Sequence, residues 1–314
     1  MATQDAERYV RMMRVIVVIN EGGGSAAREQ EARRLLHEAG IDAECTVAAP
    51  DGLRSAFEAA ARQAPDAIIA AGGDGTVGVG AAIAVDHELA LGVLPMGTLN
   101  HLARDAGIPA DLGDAVRVIA SGQIRRVDVA EVNGTIFVNN SSVGLYPEMI
   151  RERDAQRRRL GRSKRLAMLI ASLRALHHFK RRRLTIRIEG AQQPIVTPLL
   201  FIGNNDYEIS LFALGRRQAL DRGELCLYAL LARNRRQLAS LAVRRLFGRL
   251  DQKRDFIGLT GVKAVEIETP YPALSISADG ERLHMVTPLR YRIRPGALRL
   301  LMPEPARDDS ATAT

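Results

Sequence analysis

Gly72-Gly73-Asp74-Gly75-Thr76 follows directly on an apolar run, Asp66-Ala67-Ile68-Ile69-Ala70-Ala71. Three glycines around one carboxylate and one hydroxyl leave backbone amides bare, because glycine has no Cβ to hold a ligand off and tolerates positive φ. Such a loop can close on a phosphate, with Asp74 offering a hard oxygen to a metal and Thr76 a hydroxyl to the anion. The Ala-, Val- and Ile-rich stretch from Val77 to Val85 reads as a helix whose unpaired N-terminal amides would face the same way. Taken alone, the loop also fits an ordinary strand-to-helix turn. A second turn of the same kind strengthens the phosphate reading: Leu91-Gly92-Val93-Leu94 runs into Pro95-Met96-Gly97-Thr98-Leu99-Asn100-His101, then a short helix and Gly107-Ile108-Pro109.

Positioning these groups takes a parallel sheet. Arg14 to Ile19 reads as a first buried strand leading into Asn20-Glu21-Gly22-Gly23-Gly24-Ser25, a further phosphate-type loop, with Asn20, Gly22 and Gly23 as its binding candidates. A helix from about Ala26 to Glu38, a strand near Glu44 to Val47, a helix from about Leu53 to Ala64, the Asp66 strand, a helix and the Leu91 strand complete a β-α alternation. In a doubly wound sheet ligands sit beyond the carboxyl ends of the strands, so Asp74, Thr76, Thr98 and Asn100 are expected to converge there. After a helix around Asp114 to Ala120 the pattern changes. Val127 to Val132 and Thr135 to Asn140 flank Asn133-Gly134, a type I′ hairpin signal, and strand-like runs follow at Leu184–Ile188, Ile195–Ile202, Glu224–Leu231, Gly261–Glu268 and Leu274–Ser277. The expected fold class is α/β plus all-β: an N-terminal doubly wound parallel-sheet nucleotide domain, then a C-terminal antiparallel β-sandwich domain.

The two glycine motifs, with a late Asp279-Gly280-Glu281, resemble the diacylglycerol kinase catalytic-domain family of bacterial lipid kinases, related to sphingosine and ceramide kinases. The first motif alone also resembles that of NAD kinases and phosphofructokinases; all three in this order are specific. The resemblance covers about Val15 to Pro303, is strongest before Gly144 and is loose from Arg151 to Gly261. It implies a nucleotide domain over 14–130, to which 289–303 returns as the strands Tyr291–Ile293 and Leu298–Met302. It also implies a lipid-substrate sandwich over 131–288; the polar residues 304–314 are expected to be a disordered tail.

The same resemblance implies ATP as phosphoryl donor, Mg²⁺, and a membrane lipid acceptor, with diacylglycerol the leading substrate. Ceramide, a sphingoid base or NAD are the alternative acceptors, and a non-catalytic lipid or nucleotide sensor is the alternative class. Asp279 would be the general base, Glu281 would lie close to metal and phosphates, and Asp74 would position the metal. Gly72, Gly73, Gly75, Thr76, Gly97, Thr98 and Asn100 would line the nucleotide. An acid matching Asp128 joins a Mg²⁺ and water network in relatives, many of which carry Asp where this chain has His101. Imidazole can hold a metal-bound water but is no hard anionic ligand. Asp105, four residues on, shares that helical face and could restore the charge. Glu21, where relatives often have Pro, is the second departure. Without the earlier motifs, Asp279-Gly280 reads as a common hairpin turn.

Composition fits this picture without producing it. With 314 residues and 46% hydrophobic content the chain can bury two cores. Cys45 and Cys226 stand far apart without metal-site spacing, so both are expected to be reduced core thiols. Formal charge is +8, from 44 basic and 36 acidic residues. Residues 151–183 hold thirteen Lys or Arg against two acids, interleaved with Leu166, Leu169, Ile170 and Leu173 at helical spacing. A basic amphipathic helix suits an anionic membrane surface, although a solvated face has the same pattern. The stretch has one aromatic, Phe179, and no nucleic-acid module, which argues against DNA or RNA. Met1 to Arg14 lacks the apolar core of a signal peptide, and no uncharged run approaches the ~18–20 residues that span a bilayer. The expected location is the cytoplasm, peripherally at the inner face of the membrane.

Overall fold

A computed structural model describes residues 13–21, 26–145, 181–210, 213–217, 219–246 and 255–304. Two compact units emerge: residues 1–103, 107–125 and 300–314 form one, 104–106 and 126–299 the other.

The first unit carries the β-α alternation. Strands β1 (Arg14–Asn20), β2 (Asp42–Ala48), β3 (Ala67–Gly72) and β4 (Ala90–Pro95) are parallel in the order β2-β1-β3-β4. Helices α1 (Ala26–Glu38), α2 (Leu53–Arg62), α3 (Asp74–Asp86), α4 (His101–Asp105) and α5 (Leu112–Ser121) lie between or after them. Covered on both faces, β3 and β4 are buried along their whole length, which is why they read as unbroken apolar runs. The chain leaves β1 for β2 on one side and returns to β3 on the other, so the sheet's switch point lies between the ends of β1 and β3. Two expectations shift here. The third helix starts at Asp74, three residues before the periodic stretch, so Gly75 and Thr76 belong to its first turn. Cys45, on outer strand β2, is only half-buried, whereas Cys226 is a core thiol whose pKa burial pushes up to about 12.

The second unit is antiparallel. Strands β5 (Gln123–Val132) and β6 (Thr135–Phe137) join β8 (Arg182–Ile188), β9 (Ala191–Thr197), β15 (Ala264–Glu268) and the long β18 (Leu289–Met302) in one sheet. The other sheet has the order β14 (Phe256–Val262), β13 (Leu225–Leu230), β10 (Leu199–Asn204), β7 (Asn140–Gly144), β16 (Ala273–Ala278), β17 (Glu281–Val286). Side chains of both sheets, among them Phe137, Val143, Leu200, Leu227, Ile267 and Tyr291, make one core. The Phe137 and Tyr291 rings meet edge to face at 6.2 Å. A separate hairpin, β11 (Tyr207–Ser210) and β12 (Ala213–Arg217), and helix α6 (Arg235–Leu246) complete the described elements. Asn133 and Gly134, both at positive φ, link Val132 to its partner Thr135 as the type I′ signal requires.

Three expected single strands are each two, and in each case the chain changes sheet at the break. Thr135–Asn140 splits into β6 and β7 because Val138, Asn139 and Asn140 give their amides to a carboxylate instead of a neighbouring strand. Ile195–Ile202 splits at Pro198, which has no amide to give, between β9 and β10. Gly261–Glu268 splits at Lys263, just after Gly261 at φ +78°, between β14 and β15. Conversely, the last two expected strands are one, β18, running through Pro295 and Gly296.

Candidate functional site

The glycine turns of the first unit are built against each other. A Cβ on Gly97 would stand 2.5 Å from the Gly73 Cα, and one on Gly73 would stand 3.2 Å from the Gly97 Cα. Neither neighbour is a flexible side chain, so Gly97 needs glycine for the loops to pass, and a Cβ at Gly73 would require the backbone to give by a few tenths of an ångström. Asn100, at φ +48°, closes its own turn: its Oδ1 accepts the Gly97 amide at 3.1 Å and its Nδ2 donates to the Gly97 carbonyl at 3.0 Å. Asp74 then ties the turns together, its Oδ1 accepting the His101 amide at 2.6 Å. Gly73 is the N-cap of α3 and offers no side chain to the first-turn amides, which leaves them available to an anion.

The expected contributors do not all face outward. Thr76 is 1% exposed, and its hydroxyl accepts from Asn20 Nδ2 at 2.8 Å. That bond joins the end of β1 to the start of α3 across the switch point, so Asn20 and Thr76 brace the site. Thr98 is exposed, as is Leu99 beside it. Gly22 and Gly23 lie outside the described residues.

In the second unit a buried polar network surrounds the crossover from β6 to β7. The Asp279 carboxylate accepts the amides of Val138 at 2.7 Å, Asn139 at 2.8 Å and Asn140 at 3.2 Å. Asp279 and Gly280, both at positive φ, also form the two-residue turn between β16 and β17, so the hairpin-turn reading is correct and the same residue carries the carboxylate that holds the crossover. Burial pushes the Asp279 pKa up to about 6, against the lowering pull of the three amides and of Arg217. Glu281 opens β17 as an exposed residue.

Two acids offered as metal-site candidates, Asp105 from its helical face and Asp128 from the resemblance, have protein partners. Asp105, 1% exposed at its side chain, pairs with fully buried Arg217 at 2.9 Å. Asp128 accepts the amides of Gly223 at 2.6 Å and Gly296 at 2.8 Å. Among the described residues no three His, Cys, Asp or Glu side chains form a cluster able to hold a metal. Asp74 suits Mg²⁺ best, since its Oδ2 has no protein hydrogen bond among the described residues and this ion keeps most of its waters. Motif reasoning missed Arg217, Tyr207 and Asn204. The available signal was the polar run Asn204-Asn205-Asp206 closing an apolar strand, as Asn139-Asn140 closes another.

A parallel sheet with paired glycine turns at its switch point, continued in one chain by an antiparallel sandwich, defines the fold class shared by diacylglycerol kinases and NAD kinases. The fold is similar to that of a diacylglycerol kinase from Bacillus anthracis str. Sterne, at 20% identity and TM-score 0.67 over 94% of this chain and 98% of that one. It is also similar to yeast NADH kinase, at 12% identity and TM-score 0.55 over 93% and 83%. The diacylglycerol kinase catalytic domain model matches residues 14–132, and the YegS C-terminal NAD kinase beta sandwich-like domain model matches 142–302. The chain therefore belongs to the diacylglycerol kinase/YegS family of lipid kinases. It is 29% identical over 299 residues to a Klebsiella pneumoniae (strain 342) protein named Probable lipid kinase YegS-like, covering 92% of this chain and 95% of that one. It is 35% identical over 146 residues to the Diacylglycerol kinase of Bacillus subtilis (strain 168), covering 44% and 48%.

Proposed function

We propose that the protein transfers the γ-phosphate of ATP to the hydroxyl of diacylglycerol, with Mg²⁺ as its metal. The observation that carries a lipid acceptor is a half-open pocket of about 580 Å³ in the second unit, walled mainly by Ile186, Ile188, Ile195, Leu200, Leu227 and Ile257, with Glu189, Gln192 and Gln193 also in its lining. A wall made mainly of branched aliphatic side chains favours a hydrocarbon chain over a charged dinucleotide such as NAD.

In this reading the acceptor oxygen bonds to the γ-phosphorus as the bridge to the β-phosphate breaks. ADP leaves, and Asp279 takes the hydroxyl proton. The α3 amides and the Gly73 and Gly97 turns would hold the phosphates, and the Asp74 carboxylate would hold the metal. Bound Mg²⁺ supplies neutralisation of the phosphate charge. Asp105 and Asp128 support the second unit through Arg217 and the amides of Gly223 and Gly296, and Glu281 is proposed to lie close to metal and phosphates, as the resemblance implies. The test is transfer of label from γ-labelled ATP into a total lipid extract. Labelled phosphatidate is expected; label in a ceramide or sphingoid phosphate would change the substrate. Label in added NAD with none in lipid, or no label at all, would overturn the reading.

Substrate of this kind is reached at a membrane, and the basic stretch 151–183 is proposed to provide the contact. Residues 151–180 lie outside the described ones; Arg181 leads into β8, which opens with Arg182 and Arg183. Each basic residue near an anionic surface contributes about 1 kcal/mol. Changing Arg157, Arg158, Arg159, Arg181, Arg182 and Arg183 together to Gln is expected to release the protein from phosphatidylglycerol vesicles in co-sedimentation. Salt at ~1 M should weaken the wild type likewise. Binding indifferent to both would remove the membrane role. No described helix is long and apolar enough to cross a membrane.

A further inference from the structure

The β6–β7 crossover is held from two sides. On the amide side stands Asp279, with the three bonds given above. On the other side, Arg217 Nη1 donates to the Val138 carbonyl at 2.6 Å and Nη2 donates to Asn139 Oδ1 at 3.1 Å. Its Nε is committed to Asp105 Oδ2 at 2.9 Å, and its guanidinium lies over the Tyr207 ring at 5.5 Å. Asn204 Nδ2 supports the Val138 carbonyl at 2.8 Å, and the Tyr207 hydroxyl donates to the Asn139 carbonyl at 2.9 Å.

We propose that Arg217 is a positioning residue for Asp279, fixing through the Val138–Asn139 peptides the place and orientation of the carboxylate. The inference rests on the reading of Asp279 as the base. Geometry makes the case. The same two residues are gripped by Arg217 through carbonyl and side chain and by Asp279 through amides, so the carboxylate is only as well placed as the crossover. Arg217 suits the task because a planar fork with three fixed donors locks direction as well as distance, which a Lys ammonium does not. Its own direction is fixed in turn by the buried Asp105 carboxylate and the Tyr207 ring. Without the fork, the Asn139 Oδ1 loses its donor and the Val138 carbonyl keeps Asn204 alone.

A double-mutant cycle in turnover tests this. In the wild-type background Arg217→Gln is expected to lower kcat about 10- to 100-fold, the scale of an ångström-sized misplacement, with KM for ATP unchanged. In the Asp279→Asn background the same change should lower kcat less than about twofold, because the group it positions is already gone. Melting temperatures of all variants are recorded, and turnover is expressed per folded molecule. Should Arg217→Gln not fold, Arg217→Lys, which keeps the charge and loses the fork, takes its place in the cycle with the same expectation. Equal factors in both backgrounds, or undiminished kcat in the single variant, overturn the proposal. Full turnover in Asp279→Asn alone would instead overturn the reading on which it rests.

Discussion

Asp74→Asn is expected to lower phosphoryl transfer at least about 10²- to 10³-fold, the scale seen when one electrostatic contact to developing charge is lost. The variant should still fold. The asparagine Oδ1 can accept the His101 amide as Asp74 Oδ1 does at 2.6 Å, so the tie between the glycine turns survives. What disappears is the anionic Oδ2, replaced by an amide nitrogen that repels a cation. Turnover with ATP and Mg²⁺, measured beside the melting temperature, checks the expectation. Wild-type turnover by a folded variant would take Asp74 out of the reaction.

The second large effect is at Asp279. General-base loss commonly costs about 10²- to 10⁴-fold in rate, and Asp279→Asn is expected to fall in that range with KM for ATP retained. Stability should suffer too, because the new amide nitrogen faces the Val138 amide where Oδ2 accepted it at 2.7 Å. A buried donor left without an acceptor costs ~1–3 kcal/mol. The pH dependence has a definite sign. Only ionised Asp279 can take a proton, so activity should rise as pH passes through about 6, and that limb should vanish in the variant. Folding runs the other way. The folded pKa lies above the ordinary carboxyl value of 3.8, so this group's contribution to stability is full below 3.8 and is lost as pH rises through about 6. Activity and stability changing together across that interval would contradict the assignment.

Much of the parallel unit was legible in the chain because its determinants are local. A strand buried on both faces is an unbroken apolar run, as at Ala67–Gly72, and glycine marks the turns that follow. The sandwich was legible only as a set of strand-forming runs. Period-two patterning continues smoothly through a corner, so Ile195–Ile202 looks like one strand although Pro198 carries it from one sheet to the other. The same limit applies to the site. Asp74 and Asp279 could be found from motifs, but partners at a sequence distance could not. Arg217 meets Asp105 over 112 residues of separation and Val138 over 79, and nothing in its immediate neighbours distinguishes it from the chain's other arginines. The partners of Asp105 and Asp128 were equally hidden: Asp105 Oδ2 meets Arg217, and the Asp128 carboxylate accepts the amides of Gly223 and Gly296, all far off in sequence.

A lipid hydroxyl is the proposed acceptor of the phosphate. The most direct test is the initial rate of ADP formation with ATP and Mg²⁺, given either a short-chain diacylglycerol in neutral detergent or NAD as acceptor. Detergent dispersion removes any dependence on the basic stretch, and Asp74→Asn serves as the blank. Diacylglycerol-dependent ADP formation matched mole for mole by phosphatidate is expected, absent from the blank and absent with NAD. ADP formation driven by NAD and not by any lipid alcohol would contradict it.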